Sequence, residues 1–231
     1  MPASRNGNNK SDQRAIAAPT AKRLSEYLII LEELEAQGKD IVSSRELADY
    51  YGNNANQVRQ DLSSMPHSGS RGHGYRTHGL QREIRHALGL NVQRRVAVVG
   101  CGRLGTTLAL HVPLANYGMS LVAAFDVAPH IVRTNLGAVR VDHADHIAEI
   151  CRERCVELAA LSVPRDAAQQ AADELVEGGV IGILNYTLVQ LKVPENVVVE
   201  NRQIICSFIQ LTHRVSAHHA DPMLTSDDDR A

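Results

Sequence analysis

Residues Val96 to Gly105 read Val-Ala-Val-Val-Gly-Cys-Gly-Arg-Leu-Gly, a short apolar run entering a G-x-G-x-x-G turn, and Asp126 ends the next apolar run. These residue types at this spacing suit a dinucleotide. Gly100 permits the tight turn out of a strand, Gly102 lets backbone approach a pyrophosphate with no Cβ in the way, and Gly105 allows the next helix to pack closely on the sheet. A helix from about Arg103 to Tyr117 would aim its free amides and positive dipole end at the anion. A carboxylate at Asp126, 26 positions after Gly100, can accept both ribose hydroxyls of an adenosine and repels a 2′-phosphate, which favours NAD(H) over NADP(H).

A glycine-rich turn means little without elements to hold it. Here a strand precedes it, an amphipathic helix follows (Leu104, Leu108, Ala109, Val112), and a second strand runs from Ser120 to Phe125. Beyond it strands near 157–163 and 180–185 alternate with helices near 143–154 and 165–178, the pattern of a parallel sheet covered on both faces. A short strand, Val197 to Val199, leads to a terminal helix, Gln203 to His213. Its Ile204, Ile205, Phe208, Ile209 and Leu211 give apolar surface nearly all round, so it needs burial on more than one side, which points to a partner subunit.

About ninety residues of different character precede the glycine turn. Residues 1–18 are polar and lack periodicity, as expected of a disordered arm. Thr20 can cap a helix running to Gln37, with Leu24, Tyr27, Leu28, Leu31 and Leu34 in one apolar stripe and Gly38 ending it. Ser43 and Glu46 form a capping box for a second helix that stops at Gly52. Asn53 or Asn54 starts a third, with Val58 and Leu62 inward and Gln57, Arg59 and Gln60 outward. This is the helix-turn-helix plan. The glycines and single arginine of Ser68 to Tyr75 suit a β-hairpin wing, and a helix from Leu80 to Leu88 closes the small domain before a linker at Gly89 to Arg94.

The formal charge of the 231-residue chain is −2, yet residues 52–95 hold seven arginines against Asp61 and Glu83, a local excess of +5. That concentration is where a nucleic-acid surface could lie. No apolar run approaches the ~20 residues that span a bilayer, and Met1 to Asp12 is no signal peptide, so a cytoplasmic protein is expected. The four cysteines, Cys101, Cys151, Cys155 and Cys206, contain no C-x-x-C pair. Cys151 and Cys155 lack the neighbouring His or carboxylates of a metal site, and none is expected.

With these motifs in place, the sequence resembles the Rex family of bacterial repressors that sense the NADH/NAD⁺ balance. Gln57-Val58-Arg59-Gln60-Asp61-Leu62-Ser63 is similar to its recognition helix, Arg71-Gly72-His73-Gly74-Tyr75 to its wing, and Gly100–Gly105 with Ala124-Phe125-Asp126-Val127 to its cofactor site. Ser162-Val163-Pro164 and Gly182-Ile183-Leu184-Asn185-Tyr186 resemble segments around the cofactor. The resemblance spans about residues 15–214. It implies an α/β protein with an N-terminal winged helix-turn-helix domain (19–92), a Rossmann-like doubly wound parallel sheet (93–199) and a C-terminal helix exchanged between subunits (200–215); beyond it, residues 216–231 with their Asp227-Asp228-Asp229 run read as a disordered acidic tail. It implies a homodimer on a palindromic DNA operator that NADH releases. It further implies cofactor contacts from Gly100, Cys101, Gly102, Arg103, Leu104, Gly105, Asp126, Val163, Pro164, Asn185 and Tyr186, and DNA contacts from Asn56, Gln57, Arg59, Gln60, Ser63, Arg71 and His73.

The chain also departs from the family. Gln60 and Ser70-Arg71 stand where the family usually carries Lys and Lys-Arg, which removes two positive charges from the DNA face and weakens the salt dependence. Ile29, His111 and Gln203 stand where the family places an arginine, a tyrosine and an aspartate that couple cofactor state to head position. A different or weaker switch is the expectation. The alternative from another class is an NAD-dependent oxidoreductase. The chain lacks a following substrate domain, and His111, His143 and His146 form no convincing acid/base pair with a carboxylate. A coenzyme A pocket is a third reading, opposed by Asp126 because that ligand carries phosphate on its ribose.

Overall fold

The computed structural model describes residues 16–52, 54–63, 65 and 74–220, which divide into two compact units between Val92 and Gln93. In the first, α1 (Ala18–Ala36) starts ahead of Thr20, with Pro19 in its first turn and no side chain capping it. Proline's preset φ and missing N–H suit that position, and Thr20 Oγ1 instead accepts from Arg23 Nη2 at 3.3 Å. Leu24, Tyr27, Leu28, Leu31 and Leu34 are all buried. The capping box of α2 (Ser44–Tyr51) forms: Glu46 N donates to Ser43 Oγ at 3.1 Å, and Ser43 N donates to the Glu46 carboxylate at 2.8 Å. Gly52 closes that helix in the left-handed conformation. Asn54 then caps α3 (Ala55–Leu62), its Oδ1 accepting from Asn56 N at 2.8 Å.

Two short strands, β1 (Ile41–Val42) and β2 (Tyr75–Arg76), pair antiparallel with Val42 opposite Tyr75. The strand after the glycine-rich segment therefore returns to the α1–α2 connection. The expected wing tip, with Arg71 and His73, lies outside the described residues. Helix α4 (Thr77–Ala87) begins three residues earlier than the apolar pattern suggests, because Thr77 ties its start to the same connection: its N donates to Asp40 O at 2.9 Å and its Oγ1 to Lys39 O at 2.7 Å.

The second unit is a seven-stranded sheet of β3 (Arg94–Val99), β4 (Met119–Asp126), β5 (Asn135–Leu136), β6 (Val139–His143), β7 (Leu158–Leu161), β8 (Gly182–Asn185) and β9 (Val198–Asn201). Its order is β5-β6-β4-β3-β7-β8-β9, parallel throughout except for the β5–β6 hairpin. The chain runs outward from β3 through β4 to β6, then restarts on the other side of β3 with β7. The crevice at that reversal is where doubly wound sheets bind ligands. Alternate residues serve opposite faces: Ala97, Val99 and Phe125 join one buried cluster with α6 (Ile147–Glu153) and α7 (Ala168–Glu177), while Val98, Ala124 and Val141 join another beside α5 (Arg103–His111).

Three expectations need correcting here. Helix α5 stops at His111, and a 3-10 turn, Leu114–Tyr117, follows Pro113, which cannot continue a helix hydrogen-bond ladder. Strands β5 and β6 were not anticipated: β5 is two residues long, and the alternation of Val139-Arg140-Val141-Asp142 is too short to stand out. The terminal helix α8 (Ile204–Ala220) runs five residues into the segment read as tail. Among the described residues no helix is long and apolar enough to cross a membrane.

Candidate dinucleotide site and nucleic-acid interface

The three glycines of the turn do three separable things. Gly100 has φ +87°, and a Cβ there would meet Ser162 O at 2.5 Å. A Cβ on Gly105 would fall 1.8 Å from Gly100 O, so α5 rests directly on the turn. A Cβ on Gly102 would meet nothing within 4 Å. Only the middle glycine faces open space, at the start of α5, where no side chain caps the helix. The first-turn amides of Arg103, Leu104 and Gly105 have no intrahelical carbonyl to reach and present a concentrated positive end to an anion.

Asp126, at the carboxyl end of β4, holds this turn from the side. Its Oδ2 accepts from Cys101 N at 2.7 Å and its Oδ1 from Ala128 N at 2.8 Å. An ionised carboxylate offers about four acceptor sites, so two such bonds orient the group and leave capacity for a vicinal diol. Ser162 Oγ donates to Gly100 O at 2.9 Å, which joins the end of β7 to the same turn. The Cys101 side chain points inward: its Sγ donates to Phe125 O at 3.3 Å, and burial, with the Asp126 charge adding, pushes the thiol up to about 12. Only the backbone of Cys101 serves the turn.

A cleft of about 160 Å³ opens beside these atoms, lined by Gly100, Asp126, Val127, Val163 and Pro164 among others. Asp145, Gln170 and Glu174 also line it, and no Lys or Arg does. Sequence reasoning missed those three: Asp145 and Gln170 are exposed and Glu174 half-buried, polar residues of a kind that any loop or helix face carries. A wall with three carboxylates and no cation disfavours a ribose that bears a phosphate. Asn185 does not belong to this lining. It is fully buried, with Nδ2 donating to Val189 O and to Asn201 Oδ1, both at 2.8 Å, and Oδ1 accepting from Thr187 N and Oγ1. It shapes the turn after β8. Tyr186, next in the chain, is half-buried, and its N donates to Leu161 O at the end of β7.

On the other unit, Asn56, Arg59, Gln60 and Ser63 are exposed along α3, and Gln57 is half-buried. Arg59 bonds Ser44 Oγ at 2.8 Å and also Asn56 Oδ1, so its guanidinium ties the first turn of α3 to the first residue of α2. Ser63 Oγ donates to Gln60 O. The residue that sequence reading passed over is Asp61. It is only 4 % exposed, and its carboxylate accepts from Arg23 Nε and Nη2 at 2.7 Å each, from Tyr27 hydroxyl at 3.1 Å and from Gln57 Nε2 at 3.0 Å. Burial raises its pKa, the bonds from Arg23, Gln57 and Tyr27 lower it by more, and the net is a depressed value. Burial, with the Asp61 charge adding, pushes Tyr27 up to about 12. The signal was present: Asp61 falls at i+3 from Val58, on the inward face.

Of the altered trio, Ile29 and His111 are exposed and Gln203 is half-buried, with its Oε1 accepting from Cys206 Sγ at 3.4 Å. Helix α8 exposes Phe208 at 61 % and Ile209 at 62 %. Among the described residues no group of three or more His, Cys, Asp or Glu is placed to hold a metal.

Comparison with known proteins matches both units. Residues 15–63 fit the family model described as "Putative DNA-binding protein N-terminus", and residues 91–189 fit that of the CoA binding domain. The redox-sensing transcriptional repressor Rex of Thermus thermophilus is 43 % identical over 193 residues, 84 % of this chain and 90 % of that protein. That of Syntrophobacter fumaroxidans is 36 % identical over 202 residues, 87 % and 96 % of the two chains. The structure of RSP in complex with beta-NAD⁺ and operator DNA superposes with a TM-score of 0.81 at 28 % identity, covering 93 % of this chain and 99 % of that one. RSP in complex with beta-NADH gives the same TM-score over 92 % of this chain and all of that one. With similarity of this extent across nearly the full length of its relatives, carried by a helix-turn-helix and a dinucleotide turn in one order, the chain belongs to the Rex family of redox-sensing transcriptional repressors.

Proposed function

We propose that this protein is a homodimeric repressor that holds a palindromic DNA operator and releases it when NADH replaces NAD⁺. The observation that carries the reading is the open position at Gly102, above the reversal of strand order and beside the Asp126 carboxylate, in a chain whose other unit is a capped helix-turn-helix. The pyrophosphate lies over Gly102 and the first amides of α5, from Arg103, Leu104 and Gly105. The adenosine ribose bonds Asp126, and the adenosine half lies along Val163 and Pro164. Tyr186 stands near the nicotinamide, and Asn185 supports it through the turn rather than by contact. Coenzyme A and NADP(H) are disfavoured, because either ribose phosphate would meet Asp126, Asp145 and Glu174.

On DNA, α3 lies in the major groove with Asn56, Gln57, Arg59, Gln60 and Ser63 toward it, and Arg71 and His73 contribute from the wing. Relatives matched over most of their length are repressors, which answers the oxidoreductase alternative. Helix α8 packs against the second subunit, covering Ile204, Ile205, Phe208 and Ile209. A protein acting on chromosomal DNA with free thiols works in the cytoplasm. The redox signal is a population shift: NADH must bind one dimer geometry better than the other, and operator DNA must prefer the reverse. Ile29, His111 and Gln203 cannot form the family's ion pair, so here the heads respond through other contacts or over a smaller range. Titrating NADH and NAD⁺ separately into an operator complex tests this, and equal potency of the two would overturn redox sensing while leaving DNA binding intact.

A further inference from the structure

Residues at the start of a recognition helix read base edges, and Gln57 occupies the first turn of α3. A free glutamine amide presents either its oxygen or its nitrogen to a base, since rotation about its last bond exchanges them. Gln57 does not have that choice. Its side chain reaches a carboxylate oxygen of Asp61 at 3.0 Å, and an ionised carboxylate only accepts. The group facing Asp61 is therefore the NH₂, and the carbonyl oxygen is turned away. Asp61 is itself buried on the inner face of α3 and held by the two guanidinium bonds from Arg23 and the hydroxyl of Tyr27 on α1.

We propose that Asp61 is a positioning residue for sequence reading: by holding Gln57 through its amide nitrogen it makes Gln57 present a hydrogen-bond acceptor to DNA, which selects a base with an exocyclic amine in the major groove. The inference rests on the reading of α3 as the recognition helix. In the major groove only adenine N6 and cytosine N4 are amine donors, while guanine O6 and thymine O4 are acceptors. At the position met by Gln57 in each half-site, adenine or cytosine is preferred to guanine or thymine by about 5- to 10-fold, the worth of one well-placed bond. An asparagine at 61 must turn its own NH₂ toward either Gln57 or Tyr27. Either way one of the two Arg23 bonds is lost; the first case also rotates the Gln57 amide and reverses the preference, and the second weakens it.

The test is selection from a randomised duplex library by the full-length protein and by three variants, each checked for cooperative melting. Wild type should enrich adenine or cytosine at one position per half-site. Gln57→Ala should lose the preference there and nowhere else, and Asp61→Asn should reverse or flatten it at the same position. Gln57→Glu offers DNA nothing but acceptors, so it should keep the preference for adenine or cytosine at that position. This surface variant carries the test if Asp61→Asn fails to fold. A wild-type preference for guanine or thymine at the Gln57-dependent position, loss of the adenine or cytosine preference in Gln57→Glu, or its retention by folded Asp61→Asn overturns the inference. So does a wild-type profile in which no position depends on Gln57, and in each case DNA reading by α3 stands. A wild-type protein that enriches no sequence overturns the inference and the proposed function together.

Discussion

Replacing Gly102 and Gly105 separately by alanine separates a glycine kept for a ligand from a glycine kept for the fold. At Gly102 the backbone has φ −68° and ψ −164°, where alanine is unstrained, and the new methyl would meet nothing within 4 Å. Lower chain entropy in the unfolded state favours Gly102→Ala by about 0.4–1 kcal/mol. Loss of a tolerated glycine at the helix N-cap costs about 0.5–1 kcal/mol. The two nearly cancel, so Tm should stay within about 3 °C of wild type. Binding should not survive as well. On the proposed placement the methyl stands where the pyrophosphate approaches, and loss of one or two charge-assisted bonds of about 1.5–3 kcal/mol each should weaken NADH roughly 100-fold. At Gly105 the methyl would approach Gly100 O to 1.8 Å, where ordinary contact begins near 3.4 Å. The start of α5 must move, at an overpacking cost of about 3 kcal/mol or more, and Tm should fall by roughly 10 °C. Calorimetric NADH titration alongside thermal melting reads both quantities. A Gly102→Ala protein with wild-type NADH affinity would refute the placement of the pyrophosphate, and a Gly105→Ala protein with unchanged Tm would refute the packing argument.

Asp126→Ala should leave the amides of Cys101 and Ala128 without their acceptor, costing about 1–3 kcal/mol in denaturant unfolding, and should narrow the preference for NAD(H) over NADP(H) measured by competition. Acid should loosen the N-terminal unit. The Glu46 carboxyl is held down to about 2 by hydrogen bonds from Lys39 and from Ser43. That stabilisation is fully present above the unfolded value near 4.5 and is lost as pH falls toward 2. Glu46→Gln should accordingly be less stable than wild type above pH 4.5, with the difference shrinking on acidification, and a constant difference would contradict the linkage. Cys101 and Cys151, both buried with thiols pushed up to about 12, should resist alkylation at pH ~8 until the protein unfolds, as read by peptide mass spectrometry. Phe208→Asp should shift the protein toward monomer in sedimentation velocity, since it places a charge on the apolar face of α8.

Much of this molecule was legible because local rules and tertiary demands agree. The Ser43–Glu46 box, Gly52 and Asn54 each speak for themselves in sequence, and Gly100 and Gly105 of the glycine turn carried steric roles that the backbone reproduces. Where several elements had to be known at once, sequence fell short. Strand β6 is short, half polar and stabilised by its parallel pairing to β4, so its identity depends on a neighbour distant in the chain. Asn185 looked like a ligand contact because of its motif, yet its amide is consumed by Val189, Thr187 and Asn201, the last on β9. Asp61 shares the inward face of α3 with Val58 and Leu62, a placement its spacing gives, but only the arrival of Arg23 and Tyr27 from α1 explains a buried charge there. The length of α8 escaped for a different reason: its last five residues, Ser216 to Ala220, include no large apolar side chain.

The most direct test of the central claim is fluorescence anisotropy of a labelled operator duplex selected by this protein, titrated with NADH and with NAD⁺ in parallel at one salt concentration. The account predicts release by NADH at concentrations well below any at which NAD⁺ acts, with the gap compressed if the contacts replacing the Ile29, His111 and Gln203 trio are weak. Release at the same concentration of either dinucleotide, or by neither, would contradict it.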